Sequence, residues 1–322
     1  MKGLRTALFV CLCLVASLSG AAAADWPTRP VRIVVPFGAG GQSDIVARLF
    51  AQSLSEHFKQ QFYVENLSGG GTTTGSKAVA RADPDGYTLM ISGMGTHILA
   101  PAINKNVGFD PIKDFTHIAY IGGSPSAFVV HPSAGVKNFE EFMTWAKATP
   151  EGVQYVSPGV GSGGNSVAEF FASKAGIKLV HVPHRGGNTA VSDLLAGHVK
   201  MGSLTWSTAR EHVSAGTLLP IAVSSGDRVP GFPAIPTFKD KGYPDVVTTV
   251  WLSLSGPRGM PEDIVAKINE QMNKALSSPA VKKHLEQDAF DIQPMTPAEV
   301  TKVMQSEYDK WVPAMRKALD IK

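Results

Sequence analysis

Short strand-like runs alternate with helix-like runs along most of this chain, and this alternation limits its possible folds more than any other feature. The run "VRIVVPF" precedes the helix-like "DIVARLFAQSLSEHF", and "VQYVSP" likewise precedes "SVAEFFASKAG". Such alternation is typical of α/β proteins, in which helices cover both faces of mostly parallel sheets. The tail, residues 261–322, is mostly helical instead, and its first helix has one apolar face, formed by Ile264, Ile268, Met272 and Leu276.

A glycine-rich loop occurs twice, each time between a strand-like and a helix-like run. The segments "VVPFGAGGQSDIVARLFA" and "YVSPGVGSGGNSVAEFFA" share the order strand, proline, glycine-rich turn and helix, and residues 40–43 align with residues 163–166. The first turn of a helix leaves backbone N–H groups unpaired where the helix dipole is positive, so such loops suit anions. Two such units predict two α/β lobes that face each other across a cleft.

The first 24 residues have the composition of a secretory signal peptide. Lys2 and Arg5 precede the apolar run "ALFVCLCLVASL", which ends in "SGAAAA", so we expect cleavage after Ala24. The apolar run is too short to span a membrane. Cys11 and Cys13 both lie in this segment, so the mature chain has no disulfide, thiolate metal site or cysteine nucleophile. We expect a free periplasmic protein.

Nucleotide ligands are disfavoured. Without the two basic residues of the signal peptide, 28 basic residues face 27 acidic ones, and no basic stripe with interleaved aromatic residues suggests nucleic acid. Gly159, Gly161 and Gly164 form a G-x-G-x-x-G pattern after a strand, but the acidic residue that should bind the ribose is missing from the next strand. No glycine-lysine-serine/threonine follows the first loop, so we expect no cofactor.

Catalytic and metal-binding arrangements are also disfavoured. Ser162 would need glycine at the position of Val160 to form a nucleophile elbow. His181 and His184 are three residues apart on a strand and would point to opposite faces. What remains is a pair of loops rich in hydrogen-bond donors, which can bind a small anion without reacting with it. A few charge-assisted hydrogen bonds, about 1.5 to 3 kcal/mol each, suffice for a micromolar ligand.

Ten segments along the whole mature chain carry a recognisable pattern. They are "WPTRPVRIVVPFGAGGQSDIVARLFA", "YVENLSGGG", "ARADPDGYTLM", "DPIKDFTHIAYIG", "VVHPS", "LVHVPHRGG", "DLLAGHV", "PIAVSS", "IPTFKDKGYP" and "SGPRGMPEDIVAKIN". In their order and spacing the chain resembles the tripartite tricarboxylate transporter substrate-binding proteins, also called the Bug family. The resemblance implies a type II periplasmic-binding-protein fold that closes around a carboxylate and delivers it to a membrane transporter.

The resemblance also implies which residues bind the ligand. The first loop should hold one carboxylate through Phe37, Gly38, Ala39, Gly40, Gly41 and Ser43, with Asp44 as a helix cap or as a support behind the loop rather than a contact. The second loop should meet the ligand through Ser157, Gly161, Ser162, Asn165 and Ser166. Ser92 and His97 should line the same cleft, although His97 could equally be a packed loop residue.

The chain departs from the family pattern at three places, one of them a third loop in which Leu67, Ser68 and residues 72–74 replace more typical residues. His184 stands where the family usually has tyrosine, and Leu204, followed by Thr205 and Trp206, stands where the family often has aspartate. An acid there would suit an amino-acid ligand, so its absence favours carboxylates without an amine. Trp206 could form an aromatic wall for an aromatic carboxylate, or it could be a core residue.

We therefore expect a receptor for an aliphatic or aromatic mono- or dicarboxylate, monomeric and served by a membrane permease. Residues 25–124 and 249–322 should form the first lobe and residues 125–248 the second, with flexible crossings near Gly122 and Trp251. Two alternatives stay open. The chain could be a sensor subunit that presents its ligand to a membrane signalling protein, or a periplasmic enzyme that uses the same cleft.

Overall fold

The computed structural model describes residues 26–104 and 106–318. The predicted signal peptide, residues 1–24, and its cleavage site lie outside the described residues. Within the described residues, no helix combines the length and the apolar character needed to cross a lipid bilayer.

The described residues form one mixed sheet of nine strands. In chain order the strands are β1 (Val31–Val35), β2 (Phe62–Asn66), β3 (Thr88–Gly93), β4 (Phe115–Val130), β5 (Val153–Ser157), β6 (Leu179–Pro183), β7 (Met201–Thr205), β8 (Leu219–Val223) and β9 (Thr249–Pro257). Their order across the sheet is β2-β1-β3-β9-β4-β7-β5-β6, with β8 paired to β4.

The long strand β4 belongs to both ends of the sheet. From Phe115 to Pro125 it pairs with β9, and from Ser126 onward it pairs with β7 and β8. The sequence predicted two strands here, "HIAYIGG" and "AFVVHP". They form one strand because Gly122, at a φ of 109°, and a register shift beside it absorb the bend without a turn. We call β1, β2, β3, β9 and the start of β4 the first half, and the end of β4 with β5 to β8 the second half.

Parallel pairing is confined to the outer strands of each half. β1 pairs in parallel with β2 and β3, and β5 pairs in parallel with β6 and β7. In the centre, β9 is antiparallel to β3 and β4, and β4 is antiparallel to β7 and β8. The prediction of mostly parallel sheets is thus wrong for the centre. The reason is that β4 leaves the first half and β9 returns to it, so the two crossings run in opposite directions.

The helices lie between the strands and at the end of the chain. In the described part they are α1 (Gln42–Phe58), α2 (Thr73–Ala80), α3 (Ala100–Ile103), α4 (Phe139–Lys147), α5 (Gly163–Ala175), α6 (Gly187–Leu195), α7 (Trp206–Ser214), α8 (Glu262–Ser277), α9 (Pro279–Gln287) and α10 (Pro297–Ala318). A π-helical turn, Met94–Leu99, leads into α3. α5 ends at Gly176, whose φ of 63° is the left-handed conformation that glycine adopts at helix ends.

Apolar clusters lie in both halves, and the largest of them joins the halves, since it includes Met94 and Trp251 together with Phe142 and Phe171. In the first half, α1 and α8 pack on β1, β3 and β9, and the four residues predicted to form the apolar face of α8 are all buried. In the second half, α4 and α5 cover one face, and α6 and α7 cover the other. The last helix, α10, contacts both halves, because it packs on α3 and β4 and places Trp311 edge-on against Phe170 of α5 at 5.5 Å.

Candidate ligand-binding site

The N-termini of four helices converge on an enclosed cavity of about 40 Å³ between the two halves. The helical starts that line it are Gly41 to Ser43 at α1, Ser162 to Gly164 at α5, Gly186 and Gly187 at α6, and Thr205 and Thr208 at α7. Phe37, Gly38, Pro158 and Val250 complete the lining. None of these side chains is charged, so the dipoles and free N–H groups of the helix ends dominate the local electrostatics.

Free N–H groups face the cavity at α1 and α5. The first helical hydrogen bonds of α1 are donated by Asp44 and Ile45 to the carbonyl of Gly41. The N–H groups of Gln42 and Ser43, which come before them, therefore have no partner within the helix. A helix N-terminus stabilises an anion by about 0.3 to 1 kcal/mol, and by up to about 2 kcal/mol when partly buried. Four such ends around one cavity make an anion the best chemical match for it.

The first glycine-rich loop is held in place by Asp44, which is only 4% exposed. Its carboxylate accepts hydrogen bonds from the N–H of Gly40 at 2.9 Å, from Arg48 at 2.9 and 3.1 Å, and from Asn66 at 2.9 Å. Asn66 also donates to the carbonyl of Phe37. Burial raises the pKa of the Asp44 carboxyl, but the hydrogen bonds from Arg48, Gly40 and Asn66 outweigh it, so the pKa is lowered. Asp44 therefore shapes the loop as a charged group.

The second loop uses a neutral version of the same arrangement. Asn165 accepts a hydrogen bond from the N–H of Gly161 at 3.2 Å and donates to the hydroxyl of Tyr155 at 2.8 Å. Ser162 caps α5 by accepting from the N–H of Asn165. Ser157 lies behind the loop, 2.6 Å from Nε2 of His181, and accepts from the hydroxyl of Ser162. These contacts connect a hydroxyl of the cavity wall to the interior of the second half.

The two loops have matching conformations, but the pairs of residues that match are shifted by two positions from the pairs predicted by the sequence. Gly40 and Gly161 are equivalent, with φ of 79° and 76°, and each donates its N–H to the side chain four residues later. Alignment of the two loop sequences pairs Gly40 with Gly163, because both stand first in a pair of glycines. The structural determinant is instead a left-handed glycine followed at four residues by an acceptor, Asp44 or Asn165.

Most of the residues expected at the site lie at or beside the cavity. Six line it: Phe37, Gly38, Gly41, Ser43, Ser162 and Thr205. Six more lie in the two loops, beside or behind the lining: Ala39, Gly40, Ser157, Gly161, Asn165 and Ser166. The side chain of Asn165 has both its amide groups engaged within the second half, which makes it a support for the loop.

Three of the expected residues do not reach the cavity. Ser92 is 1% exposed, and its hydroxyl lies 2.6 and 2.7 Å from those of Ser253 and Ser255 on β9. His97 is fully buried, with Nδ1 3.0 Å from the hydroxyl of Thr96. Trp206 is also fully buried and packs edge-on against Phe232 at 4.9 Å, so the core alternative applies to it. Each side chain points into the interior because its strand or helix presents that face to a neighbouring element.

Sequence reasoning missed Gly186, Gly187 and Thr208, which line the cavity from α6 and α7. The sequence contains a signal for the first two. "GGNT", residues 186–189, follows a strand and opens a helix just as "GGNS", residues 163–166, does. This third copy of the motif marks a third helix N-terminus at the same site.

Beside the cavity the backbones of the two halves approach each other closely. A β-carbon added to Gly38 would lie 2.1 Å from the carbonyl oxygen of Arg185, so only glycine allows this approach. A β-carbon on Gly161 would similarly lie 3.7 Å from the carbonyl oxygen of Gly71. The cavity therefore lies in a closed conformation of the protein. Outside it, an open vestibule of about 520 Å³ shares Phe37, Gly38 and Pro158 with the cavity.

The two histidines near the site have different surroundings. His181 stacks on Tyr155 at 4.9 Å, and burial, with a smaller effect of His184, lowers the pKa of His181 to about 4. His184 lines the vestibule, with Nε2 3.4 Å from a carboxylate oxygen of Asp193. In the part of the chain that the structure describes, no three His, Cys, Asp or Glu side chains are placed to share a metal ion.

The crossing strands and the anion-suited cavity between two α/β halves define a class of proteins, the periplasmic solute-binding proteins of type II fold. The chain belongs to the tripartite tricarboxylate transporter receptor family (TctC), whose model matches residues 46–319. The resemblance and the fold class expected from the sequence are thereby confirmed. The family consists of receptors, which also confirms the expectation of a binding protein rather than an enzyme.

Three relatives give the match more detail. The protein BugT of Bordetella pertussis is 29% identical over 308 residues, covering 94% of this chain and 93% of BugT. The R. palustris protein Rpa4515, solved with adipate, has a TM-score of 0.87 at 30% identity, covering 91% of this chain and 98% of that one. MatC from Rhodopseudomonas palustris, with bound malate, has a TM-score of 0.85 at 28% identity, covering 90% of this chain and all of MatC.

Proposed function

We propose that this chain is an exported periplasmic receptor that captures a small mono- or dicarboxylate by closing its two halves and passes it to a tripartite tricarboxylate-type membrane transporter. The observation that carries the proposal is the convergence of four helix N-termini on one uncharged, enclosed cavity. In this proposal residues 1–24 direct export, and residues 25–124 with 249–322 and residues 125–248 form the two lobes.

The chemistry of the cavity favours a carboxylate without an amine. The ammonium group of an amino acid would need a negatively charged hydrogen-bond acceptor, and no acidic side chain lines the cavity. Asp44, the nearest acid in the loops, is engaged by Arg48 and Asn66. Proteins of the same fold and family have been solved with adipate and with malate, which supports a carboxylate but does not choose between them.

The size of the cavity suggests which part of the ligand it holds and which part lies in the vestibule. A volume of about 40 Å³ holds about three water molecules, since each needs roughly 10 to 15 Å³. This is the size of a carboxylate group. The rest of the ligand would extend past Phe37 and Pro158 into the vestibule, where Arg185 and His184 lie. The proposed site is therefore the cavity for one carboxylate and the vestibule for the ligand's remaining part.

Calorimetric titration of the chain from Asp25 onward tests the proposal. The panel contains adipate, malate, benzoate, glutamate as an amine-bearing carboxylate, and adipamide as a neutral counterpart of adipate. We expect binding of at least one carboxylate without an amine, and none of adipamide. The bound ligand should also raise the midpoint of thermal unfolding by several degrees, because a ligand at 100 times its Kd adds about 2.7 kcal/mol of stability. Binding of adipamide as tightly as adipate would contradict the proposal.

Uptake measurements test the transport step separately. Cells that lack this chain should fail to accumulate the labelled carboxylate, and the chain supplied from a plasmid should restore accumulation. Normal uptake without the chain, together with loss of a ligand-induced transcriptional response, would favour the sensor alternative.

A further inference from the structure

A second depression, which we call the hinge groove, lies on the other face of the crossing strands. It has a volume of about 820 Å³. Neighbouring side chains of a strand point to opposite faces, and β9 demonstrates this here. Val250 lines the ligand cavity, whereas Thr249 and Trp251 line the hinge groove. The two sites are therefore separated by the strands that connect the halves.

Both halves contribute walls to the hinge groove. The segment after β8, residues 225–230, forms one wall, and the segment after α9 with helix α10 forms the other. Rotation about the crossing strands that brings the walls of the cavity together moves the walls of the groove apart. The shape of the groove is thus tied to the opening and closing of the cleft.

Two carboxylates in this groove have no cationic partner. Asp291 accepts from the N–H of Gly123, and Glu307 accepts from Nε1 of Trp251 at 3.0 Å, but neither forms an ion pair within the described residues. Burial raises the pKa of the Asp291 carboxyl, and the charge of Glu307 raises it further. By contrast, Asp288, three residues before Asp291, pairs with Arg210 at 3.1 Å. Asp291 and Glu307 are therefore hydrogen-bonded to neutral N–H groups and lack an ion pair in the described part of the chain.

A tyrosine hydroxyl without a protein partner lies near the same carboxylates. Tyr120 is 5% exposed and lines the groove, and none of the described residues hydrogen-bonds to its hydroxyl. Burial and the charges of Asp291 and Glu307 raise the pKa of Tyr120, so it is a neutral group that can accept a hydrogen bond. Its hydroxyl can donate its hydrogen to a carboxylate, and its oxygen can at the same time accept a hydrogen bond from an N–H donor.

The chemistry of this wall selects the class of ligand. Carboxylates and a hydroxyl oxygen accept hydrogen bonds from ammonium and guanidinium groups. The cations already in the lining are engaged elsewhere, since Arg228 pairs with Asp240 at 3.1 Å and Lys310 lies over Trp311. An organic cation would supply the charge and the donors that are missing.

We propose that the hinge groove binds an alkylammonium or alkylguanidinium group between Asp291, Glu307 and Tyr120, and that this binding stabilises the closed form. The coupling follows because the groove is open in the closed conformation and narrows when the cleft opens. By reciprocity, a carboxylate in the cavity should raise the affinity of the groove for the cation by the same factor. The cation site stands on its own contacts, whereas its effect on ligand affinity rests on the proposed function.

Titration of the mature chain with methylguanidinium and with 1,4-diaminobutane tests the cation site, in the absence of carboxylate and at constant ionic strength. We expect saturable binding of at least one of them. Glu307→Gln and Asp291→Asn keep acceptors for Trp251 and Gly123 but remove a charge, so each should weaken cation binding at least tenfold. Asp309→Asn is the matched control, because Asp309 is exposed on the same helix and bonded only by Gln305. It should bind the cations like the wild type.

The outcomes separate this proposal from the proposed function. Absence of binding at 10 mM cation, or equal binding by Glu307→Gln, would overturn the cation site. Cation binding by a chain that binds no carboxylate would uphold the site and refute the receptor proposal. If both ligands bind, saturating cation should raise carboxylate affinity at least threefold, and unchanged affinity would overturn the coupling. Circular dichroism confirms that each variant is folded.

Discussion

Replacing Gly38 with alanine should hold the two halves apart while leaving each of them folded. The backbone of Gly38 has no positive φ, so alanine can adopt it without strain. The new β-carbon would lie 2.1 Å from the carbonyl oxygen of Arg185, where real β-carbons are not found nearer than 3.0 Å. The loops must therefore separate by nearly an ångström. The position of the β-carbon is fixed by the backbone and the oxygen is a backbone atom, so no side-chain rotation can relieve the contact.

The size of the effect follows from the cost of such crowding. Overpacking of a close contact costs about 1 to 3 kcal/mol. Because the clash exists only in the closed form, it is subtracted from the free energy of ligand binding. At about 1.4 kcal/mol for each factor of ten, a cost near 3 kcal/mol weakens the apparent affinity by about 100-fold.

Calorimetry and small-angle X-ray scattering measure this effect, with whichever carboxylate the wild type binds. We expect Gly38→Ala to lose affinity and ligand-induced compaction, while the ligand-free chain keeps its unfolding midpoint. Gly186→Ala is the control across the same interface, because its β-carbon would meet nothing nearer than 3.6 Å. Its loss should be at least tenfold smaller. Wild-type affinity in Gly38→Ala would refute the closed contact on which the reasoning depends.

Three further predictions concern stability. The lowered pKa of Asp44 adds stability above about pH 4 that is lost as the pH falls through the folded value, so Asp44→Asn should flatten the acid limb of urea unfolding midpoints. Burial lowers the pKa of His117 from 6.5 to about 4, so this histidine is protonated at a lower pH in the folded chain than in the unfolded chain. His117 should therefore contribute about 3 kcal/mol to the fall in stability between pH 6.5 and 4, and His117→Gln should remove that contribution. Ser162→Ala removes the cap of α5 and should lower stability by about 1 kcal/mol in thermal unfolding, besides weakening ligand binding.

Local patterns predicted the parts of the fold that depend on nearby residues. The start of α1 is marked by glycines and Asp44, the end of α5 by Gly176, and the buried face of α8 by a four-residue spacing. The continuity of β4 could not be predicted in this way, since it depends on pairing with β9 more than 120 residues later. The bend at Gly122 looks like a turn in the sequence and is absorbed within a strand.

The same distinction between local and long-range determinants applies to the residues of the site. The two loops could be predicted because glycine, proline and polar caps are local signals. Ser92 was misplaced because its partners, Ser253 and Ser255, come from β9, and only the register of β3 with β9 brings them together. Trp206 follows a strand at the right depth for the cavity, but the packing of Phe232 draws it into the core.

The position of β9 also sets an order of assembly. β9 lies between β3 and β4 in the sheet, yet it follows every other strand in the chain. The strands of the second half are complete by Val223 and are continuous in sequence from Ser126. Until Thr249 to Pro257 have been synthesised, β3 has an unpaired edge, which is a site for non-native pairing. The second half can therefore fold first, whereas the first half must wait for the last strand before its sheet can close.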